Sequence, residues 1–214
     1  EKRYFSSGDD SFVFECQNTK IGVLICEDQW VEGPISNFCQ SSIDIVVSLN
    51  ASPFQLNKQS ERINTCKNYA LKFDITFIYV NMVGGQDEVV FDGNSFIVNN
   101  QGDVSLQLPA FKELSVSHID TTFTPSLVSN ESLIYSAIVL ATKDYIQKNT
   151  FGGALIGLSG GIDSALTLAI AVDAIGAENV HAIMMPYQFT SDMSLTDSEL
   201  QAEGQGVEFS SIDI

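Results

Sequence analysis

Two places in this 214-residue sequence set reactive or ligand-binding residue types against the end of an apolar run. In the first, Ile21-Gly22-Val23-Leu24-Ile25 leads directly into Cys26, Glu27 and Asp28. A free cysteine is most often a small core residue. The carboxyl ends of strands in α/β sheets, however, are where ligands collect, and a thiol there becomes a nucleophile once a neighbour takes its proton. In the second, Gly157-Leu158-Ser159-Gly160-Gly161-Ile162-Asp163-Ser164 joins an apolar run to a helical pattern. Consecutive glycines let backbone approach a ligand closely, and a helix start directs unpaired N–H groups and partial positive charge at it. Such a turn suits phosphate. It lacks the lysine of GxxxxGK[ST], so the ordinary P-loop chemistry does not apply. Asp163 falls in the first helical turn, where a carboxylate also stabilises the helix itself.

The elements that would hold these residues follow from periodicity. Lys20–Cys26, Ile43–Leu49 and Ile75–Val80 are short Val/Ile-rich runs expected to be buried strands. Between the last two, Ile63, Cys66, Tyr69, Ala70 and Phe73 recur at helical spacing, with Arg62, Lys67 and Lys72 as the polar members. The alternating runs Ser95–Asn99 and Val104–Leu108, joined by Asn-Asn-Gln-Gly, predict a hairpin, and Leu114–Ile119 a further strand. The polar stretch Thr121–Pro125 reads as a linker. A helix is expected from Ser129, with Leu133, Ala137, Ile138, Ala141 and Tyr145 as its apolar face. Then come strand Ala154–Leu158, helix Ser164–Ile175 stopped by Gly176, strand Val180–Met185, helix Leu195–Glu203 and strand Val207–Ile212. That alternation is the signature of a parallel sheet with crossover helices.

Composition narrows the function classes. With 27 acidic and 10 basic residues, the formal charge of −17 disfavours nucleic acid and anionic membranes as partners and favours small molecules. Bound polyphosphate would need local N–H groups or Mg²⁺. No apolar run approaches the roughly 18 residues of a membrane span. Cys16, Cys26, Cys39 and Cys66 show no paired spacing, so a reducing cytoplasm is expected, with Cys16, Cys39 and Cys66 as packing residues.

Both strings carry a family resemblance. Gly157 through Ser164 resembles the SGGxDS pyrophosphate loop of synthetases that adenylate a substrate with ATP. The resemblance implies that Gly157, Leu158, Ser159, Gly160, Gly161, Ile162, Asp163 and Ser164 contact ATP and that Asp163 helps hold Mg²⁺. Gly22 through Asp28 resembles the nucleophile region of the nitrilase superfamily of carbon–nitrogen hydrolases. It implies that Cys26 attacks the carboxamide of glutamine, with the Glu27 backbone N–H at the oxyanion. Glu1-Lys2-Arg3-Tyr4-Phe5 resembles that superfamily's FDExRYF segment, making Glu1 the candidate second, orienting glutamate. The general-base Glu and catalytic Lys are expected upstream of the first residue. Asn50-Ala51-Ser52-Pro53-Phe54 with Lys58 resembles the glutamine-contacting stretch of NAD synthetase glutaminase domains, implying Ser52, Lys58 and Glu27 as glutamine contacts. From the residues alone, Ser52-Pro53 is a turn and Lys58 a solvated helix residue.

An amidase cysteine followed about 130 residues later by a pyrophosphate loop is the order found in glutamine-dependent NAD synthetases. The implied fold class is α/β: over residues 1–120 the C-terminal part of a nitrilase-like αββα sandwich, then a linker at 121–128. Residues 129–214 would be the start of a Rossmann-like parallel-sheet ATP pyrophosphatase domain. The implied substrates are glutamine, deamido-NAD and ATP with Mg²⁺, in a cytoplasmic homo-oligomer of which this stretch alone is inactive. Two other readings stay open at this point. One is an amidase fused to another adenylating synthetase, and the other a non-catalytic nucleotide-binding module with an inert Cys26.

Overall fold

The computed structural model describes residues 10–38, 42–114 and 128–214, together with Tyr4, Ser6 and Gly8. Glu1, Cys39, the linker up to residue 127 and all but Leu114 of the expected strand Leu114–Ile119 lie outside them. The described residues form two compact units, the first made of those within 1–83 and 91–114, the second of 84–90 and 128–214.

The first unit is built on a six-stranded sheet. Its strands are β1 (Val13–Cys16), β2 (Thr19–Ile25), β3 (Ile45–Asn50), β4 (Thr76–Asn81), β7 (Phe96–Val98) and β8 (Val104–Gln107), in that spatial order. Strands β2, β3 and β4 are parallel, with Ile25 opposite Leu49 and Asn50 opposite Asn81. β1 and the hairpin β7–β8 close the two sides antiparallel. The crossover from β3 to β4 is helix α2 (Lys58–Phe73), while a short helix α1 (Glu32–Asn37) follows β2.

Alternation along each parallel strand decides which face is buried. Leu24, Val46, Phe77 and Tyr79 point to the face that Cys66 and Ala70 of α2 cover, and together with Ile35, Phe38, Phe96 and Val98 they form the core. The opposite face keeps apolar Ile25, Leu49 and Val80 exposed, at 65%, 48% and 42%. Parallel strands are normally covered on both faces, and among the described residues no second layer covers this one.

Strand β1 was not expected. Gln17 and Asn18 both take positive φ, at 49° and 63°, and make the two-residue turn that reverses the chain into β2. Cys16 ends β1 exposed, which corrects its expected role as a packing residue; Cys66 is buried as expected. Arg62 is a second correction. Expected on the polar face of α2, it is 0% exposed, because the four-residue steps from Arg62 to Cys66 to Ala70 place it on the buried stripe.

In the second unit β9 (Ala154–Leu158), β10 (Val180–Met184) and β11 (Glu208–Ser211) form a parallel sheet in the order β11-β10-β9. They are linked by α4 (Ile162–Ile175) and α5 (Asp192–Gln205). The core is made largely of small and aliphatic residues, Leu158, Leu168, Ala171, Val180, Ala182, Ala202 and Val207. Helix α3 (Asn130–Lys148) packs against α4. Ser129 caps α3 as expected, accepting from the Ser132 N–H at 3.2 Å. The Glu131 carboxyl is held below its ordinary value by its own backbone N–H and by the Ser129 hydroxyl. Of the expected apolar face of α3, Ala137 is buried, but Ile138 and Tyr145 are exposed, at 43% and 60%. The expected members Leu133 and Ala141 are half-buried on either side of Ala137, and Asp144 continues that stripe in place of Ile138 and Tyr145.

A hairpin of β5 (Val83–Gln86) and β6 (Val89–Asp92) contributes its tip to this unit. The Gly85 N–H donates to the Asp144 carboxylate at 2.7 Å, and Lys148 Nζ donates to the Gly85 carbonyl. A Cβ on Gly85 would lie 3.1 Å from the Ala141 Cα, so glycine is what permits this close approach.

Candidate active site

In the first unit the site lies at the carboxyl edge of the parallel strands. Strand β2 ends at Ile25, one residue earlier than expected, and Cys26 opens a tight 3-10 turn over Cys26–Gln29. Its φ is 45°, in the left-handed region that non-glycine residues rarely occupy. Holding a residue there costs on the order of 1–3 kcal/mol, a strain typical of functional positions. The turn lifts the half-buried thiol off the strand while the Asp28 carboxylate pins it from below, accepting the Ile25 N–H at 2.9 Å. By register Ile25 pairs with Leu49 and Asn50 with Asn81, so Cys26 leaves the sheet at the edge where β3 and β4 end in Asn50 and Asn81. Gln29, fully buried, anchors the turn to β3 by accepting from the Ser48 hydroxyl at 2.8 Å.

Ser52 lies just past the end of β3, 8% exposed, and is bound reciprocally to the end of β4. Its N–H donates to Asn81 Oδ1 at 2.9 Å and its carbonyl accepts from Asn81 Nδ2 at 3.2 Å. Lys58 is the first residue of α2, its ammonium 2.8 Å from the Glu61 carboxylate and 4.6 Å above the centre of the Trp30 ring. The cation therefore leans toward the residue that follows the Cys26 turn instead of standing in solvent. Glu27 is exposed.

Behind this edge sits a buried ion pair. Arg62 Nη1 donates to both Asp92 oxygens at 2.9 Å, and the partners are 0% and 4% exposed. Removing one member of such a pair costs about 3–5 kcal/mol, because the other charge is left buried and uncompensated.

Tyr79 is packed beside the pair, its ring centre 6.0 Å from the guanidinium carbon. Its buried hydroxyl, like Gln29 Nε2, has no well-formed hydrogen bond among the described residues. Burial pushes Tyr79 up to about 12; Arg62 and then the nearby Ser52 hydroxyl pull the other way without reversing the shift. The folded protein thus keeps a proton that the unfolded chain releases above about pH 10, the ordinary tyrosine value. Stability from this group is present below pH 10 and lost as pH rises toward 12. Tyr79→Phe is expected to shrink the fall in urea midpoint between pH 9 and 11 while leaving the midpoint at pH 8 unchanged or higher.

In the second unit the turn between β9 and α4 has the shape of an anion cradle. Gly157 and Leu158 lie inside β9, and the Leu158 side chain is buried core, so only its backbone could meet a ligand. Helix α4 begins at Ile162, two residues earlier than expected, capped by Gly161 without any side-chain cap. Ser164 folds back, donating to the Gly161 carbonyl at 2.9 Å, and its Oγ lies 3.1 Å from that of Ser159. Gly160 has a φ of 74°, and a Cβ there would lie 2.6 Å from the Ser194 backbone. Ile162 and Asp163 are exposed. Among the described residues no cluster of three or more His, Cys, Asp or Glu could hold a metal ion. Asp163 alone suits a cation whose other ligands are phosphate oxygens and water.

Two protein families match this arrangement. Residues 1–125 match Carbon-nitrogen hydrolase, more than half of the sequence. The chain belongs to the carbon-nitrogen hydrolase family. This family member continues into a second match, NAD synthase, over residues 134–214. It is 45% identical to the glutamine-dependent NAD(+) synthetase of Acinetobacter baylyi over 98% of its own length and 40% of that relative's. With the synthetase of the same name from a Synechocystis strain the identity is 39%, over 100% of the chain and 42% of the relative. Among solved structures it superposes with a TM-score of 0.91 and 43% identity on the Acinetobacter baumannii glutamine-dependent NAD+ synthetase in complex with ADP, covering 42% of that chain. The Cytophaga hutchinsonii enzyme, at TM-score 0.79 and 19% identity, shares the fold. The chain thus spans about two fifths of the length of these relatives.

Within this carbon-nitrogen hydrolase edge, the structure gathers Cys26, Ser52 and Lys58 at one end of the sheet, and Glu1 lies outside the described residues. Sequence reasoning missed Arg62, Asp92, Asn81 and Trp30. For Arg62 the spacing to Cys66 and Ala70 was the available signal. Asp92 closes the short strand β6, where no periodic pattern marks it as buried.

Proposed function

We propose that this chain carries the nucleophile and glutamine contacts of a glutaminase together with the ATP loop of the NAD-forming domain it supplies. Cys26 attacks the glutamine carboxamide, forming a thioester and releasing ammonia, and water returns the thiol and glutamate. The Glu27 N–H, in the first turn after the strand where helical N–H groups lack internal acceptors, faces the developing oxyanion. Ser52 and Lys58 hold the amino-acid end of glutamine. In the second unit the Gly160–Gly161 backbone and the start of α4 cradle the ATP phosphates, with Ser159 and Ser164 as hydroxyl partners. Asp163 would share Mg²⁺ with the pyrophosphate, where the ion offsets charge on the leaving group. The nicotinate carboxylate of deamido-NAD takes the adenylyl group, pyrophosphate leaves, and ammonia displaces AMP to give the carboxamide of NAD.

The observation that carries this reading is the 45% identity running through both motifs in one chain. Ammonia remains a nucleophile only while unprotonated, which favours its use without release to bulk water. The test is pyrophosphate release by the full-length polypeptide with ATP, ammonium and a panel of carboxylic acids. Deamido-NAD alone is expected to support it; release driven instead by another acid would assign the synthetase half to a different product.

A further inference from the structure

Arg62 is a long cation with no exposed surface, and each of its donors has an assigned acceptor. Nη1 is committed to Asp92, at 2.9 Å to each oxygen, and reaches Gln59 Oε1 at 3.3 Å. Nε and Nη2 converge on one residue: Ser52 Oγ accepts from them at 3.3 and 3.0 Å, and the Ser52 carbonyl accepts from Nη2 at 2.8 Å. The Pro53 carbonyl takes a further contact at 3.0 Å. A serine hydroxyl has two acceptor lone pairs and one proton. With both lone pairs turned toward the guanidinium, the Ser52 hydroxyl can act only as a donor, and the buried Tyr79 hydroxyl beside it is the acceptor that a bound carboxylate must displace.

We propose that Arg62, anchored by Asp92, is a positioning residue that fixes the polarity of Ser52, so that Ser52 donates to the α-carboxylate of the bound amino acid and does not accept from its α-ammonium group. This inference rests on the reading of Ser52 as a glutamine contact and assigns it one half of that ligand. Two features favour a carboxylate. A hydroxyl polarised by a neighbouring cation is a better donor, and hydrogen bonds to an ionised acceptor are the stronger kind. Arg62 lies on α2 four residues after its first residue, Lys58, close to a helix terminus that favours an anion. Asp92 holds the guanidinium plane, so Nε and Nη2 face Ser52.

The experiment uses two half-ligands on the full-length polypeptide. Glutaramate keeps the carboxamide and carboxylate of glutamine and lacks the amine; 4-aminobutanamide keeps the carboxamide and amine and lacks the carboxylate. Each is titrated for protection of Cys26 against alkylation by iodoacetamide. Ser52→Ala and Arg62→Lys are each expected to weaken glutaramate about tenfold, the scale of one hydrogen bond to a charged group, and to leave 4-aminobutanamide within about twofold. The double variant is expected to lose no more than Ser52→Ala alone, since Arg62 acts through Ser52. If Arg62→Lys compromises folding, Asp92→Glu, which keeps the charge and shifts the anchor by one methylene, is expected to give the same pattern at about threefold.

Equal weakening of both half-ligands by Arg62→Lys would mean a merely structural role and overturn the proposal. So would selective loss in Ser52→Ala with none in either Arg62→Lys or Asp92→Glu, an outcome that leaves Ser52 as a contact. If Ser52→Ala changes neither ligand, the assignment of Ser52 to glutamine itself fails, and the proposal falls with it.

Discussion

Replacing Cys26 with alanine is expected to lower glutamine-dependent NAD formation by at least about 10³-fold while leaving ammonium-dependent formation within about twofold. The size follows from the thiol's role: no other group in the 26–29 turn can form the thioester, and the remaining contacts only bind. Separation of the two nitrogen sources follows from the fold, because the turn proposed to bind ATP is built in a different unit with its own core. Alanine also tolerates the left-handed backbone at this position no worse than cysteine does, so the φ of 45° should survive and the loss is chemical. Steady-state assays of both nitrogen sources on one preparation provide the check. Parallel loss of the ammonium-dependent rate would indicate damage beyond the thiol.

Gly160→Ala is expected to produce the converse separation. A Cβ at this position would lie 2.6 Å from both the Cα and the carbonyl oxygen of Ser194, atoms that cannot rotate away, on a residue whose φ of 74° already disfavours any side chain. The turn must therefore move, and with it the N–H groups proposed to cradle phosphate. A displacement of about 1 Å in a positioning element commonly costs 10²-fold in rate. Pyrophosphate release is expected to fall by about that factor and ADP affinity by tenfold or more, with glutamine hydrolysis unchanged. Titrating ADP by calorimetry against wild type and variant separates loss of binding from loss of turnover. Gly157→Ala is the natural comparison: the nearest atom to its added Cβ is the Met185 methyl at 3.7 Å, an ordinary contact, so any effect there is expected to be far smaller.

How much of this was legible in the sequence depended on where side chains met periodic structure. The parallel strands were visible because Val, Ile and Phe recur in short runs, and the structure moved their ends by only one or two residues. Those shifts mattered at the site. Cys26 was placed on a strand, and it belongs to the turn beyond it, since hydropathy cannot register a backbone that flips to positive φ. The glycine-rich turn was readable because glycine reports directly on backbone freedom, yet the reason Gly160 is needed, the approach of Ser194 from α5, is tertiary.

Arg62 shows the opposite failure. Charge made it look solvent-facing, while its spacing from Cys66 and Ala70 placed it inside, where Asp92, 30 residues later, neutralises it. A pairing of that sequence separation leaves no local pattern. The misassigned face of α3 has a related cause. Ile138 and Tyr145 are apolar by composition, but the buried stripe includes Asp144, which accepts from the Gly85 backbone, a polar contact that an apolar template scores as a miss.

The most direct test of the joined glutaminase and synthetase reading follows one nitrogen atom. The full-length polypeptide is supplied with ATP, deamido-NAD and glutamine labelled with ¹⁵N in its amide, in the presence of excess unlabelled ammonium, and the NAD formed is analysed by mass spectrometry. The expected result is NAD enriched in ¹⁵N in its carboxamide well above the isotopic composition of the free ammonium pool, and no enrichment with Cys26→Ala. NAD carrying only the isotopic composition of the pool, or glutamine hydrolysis with no NAD at all, would contradict the account.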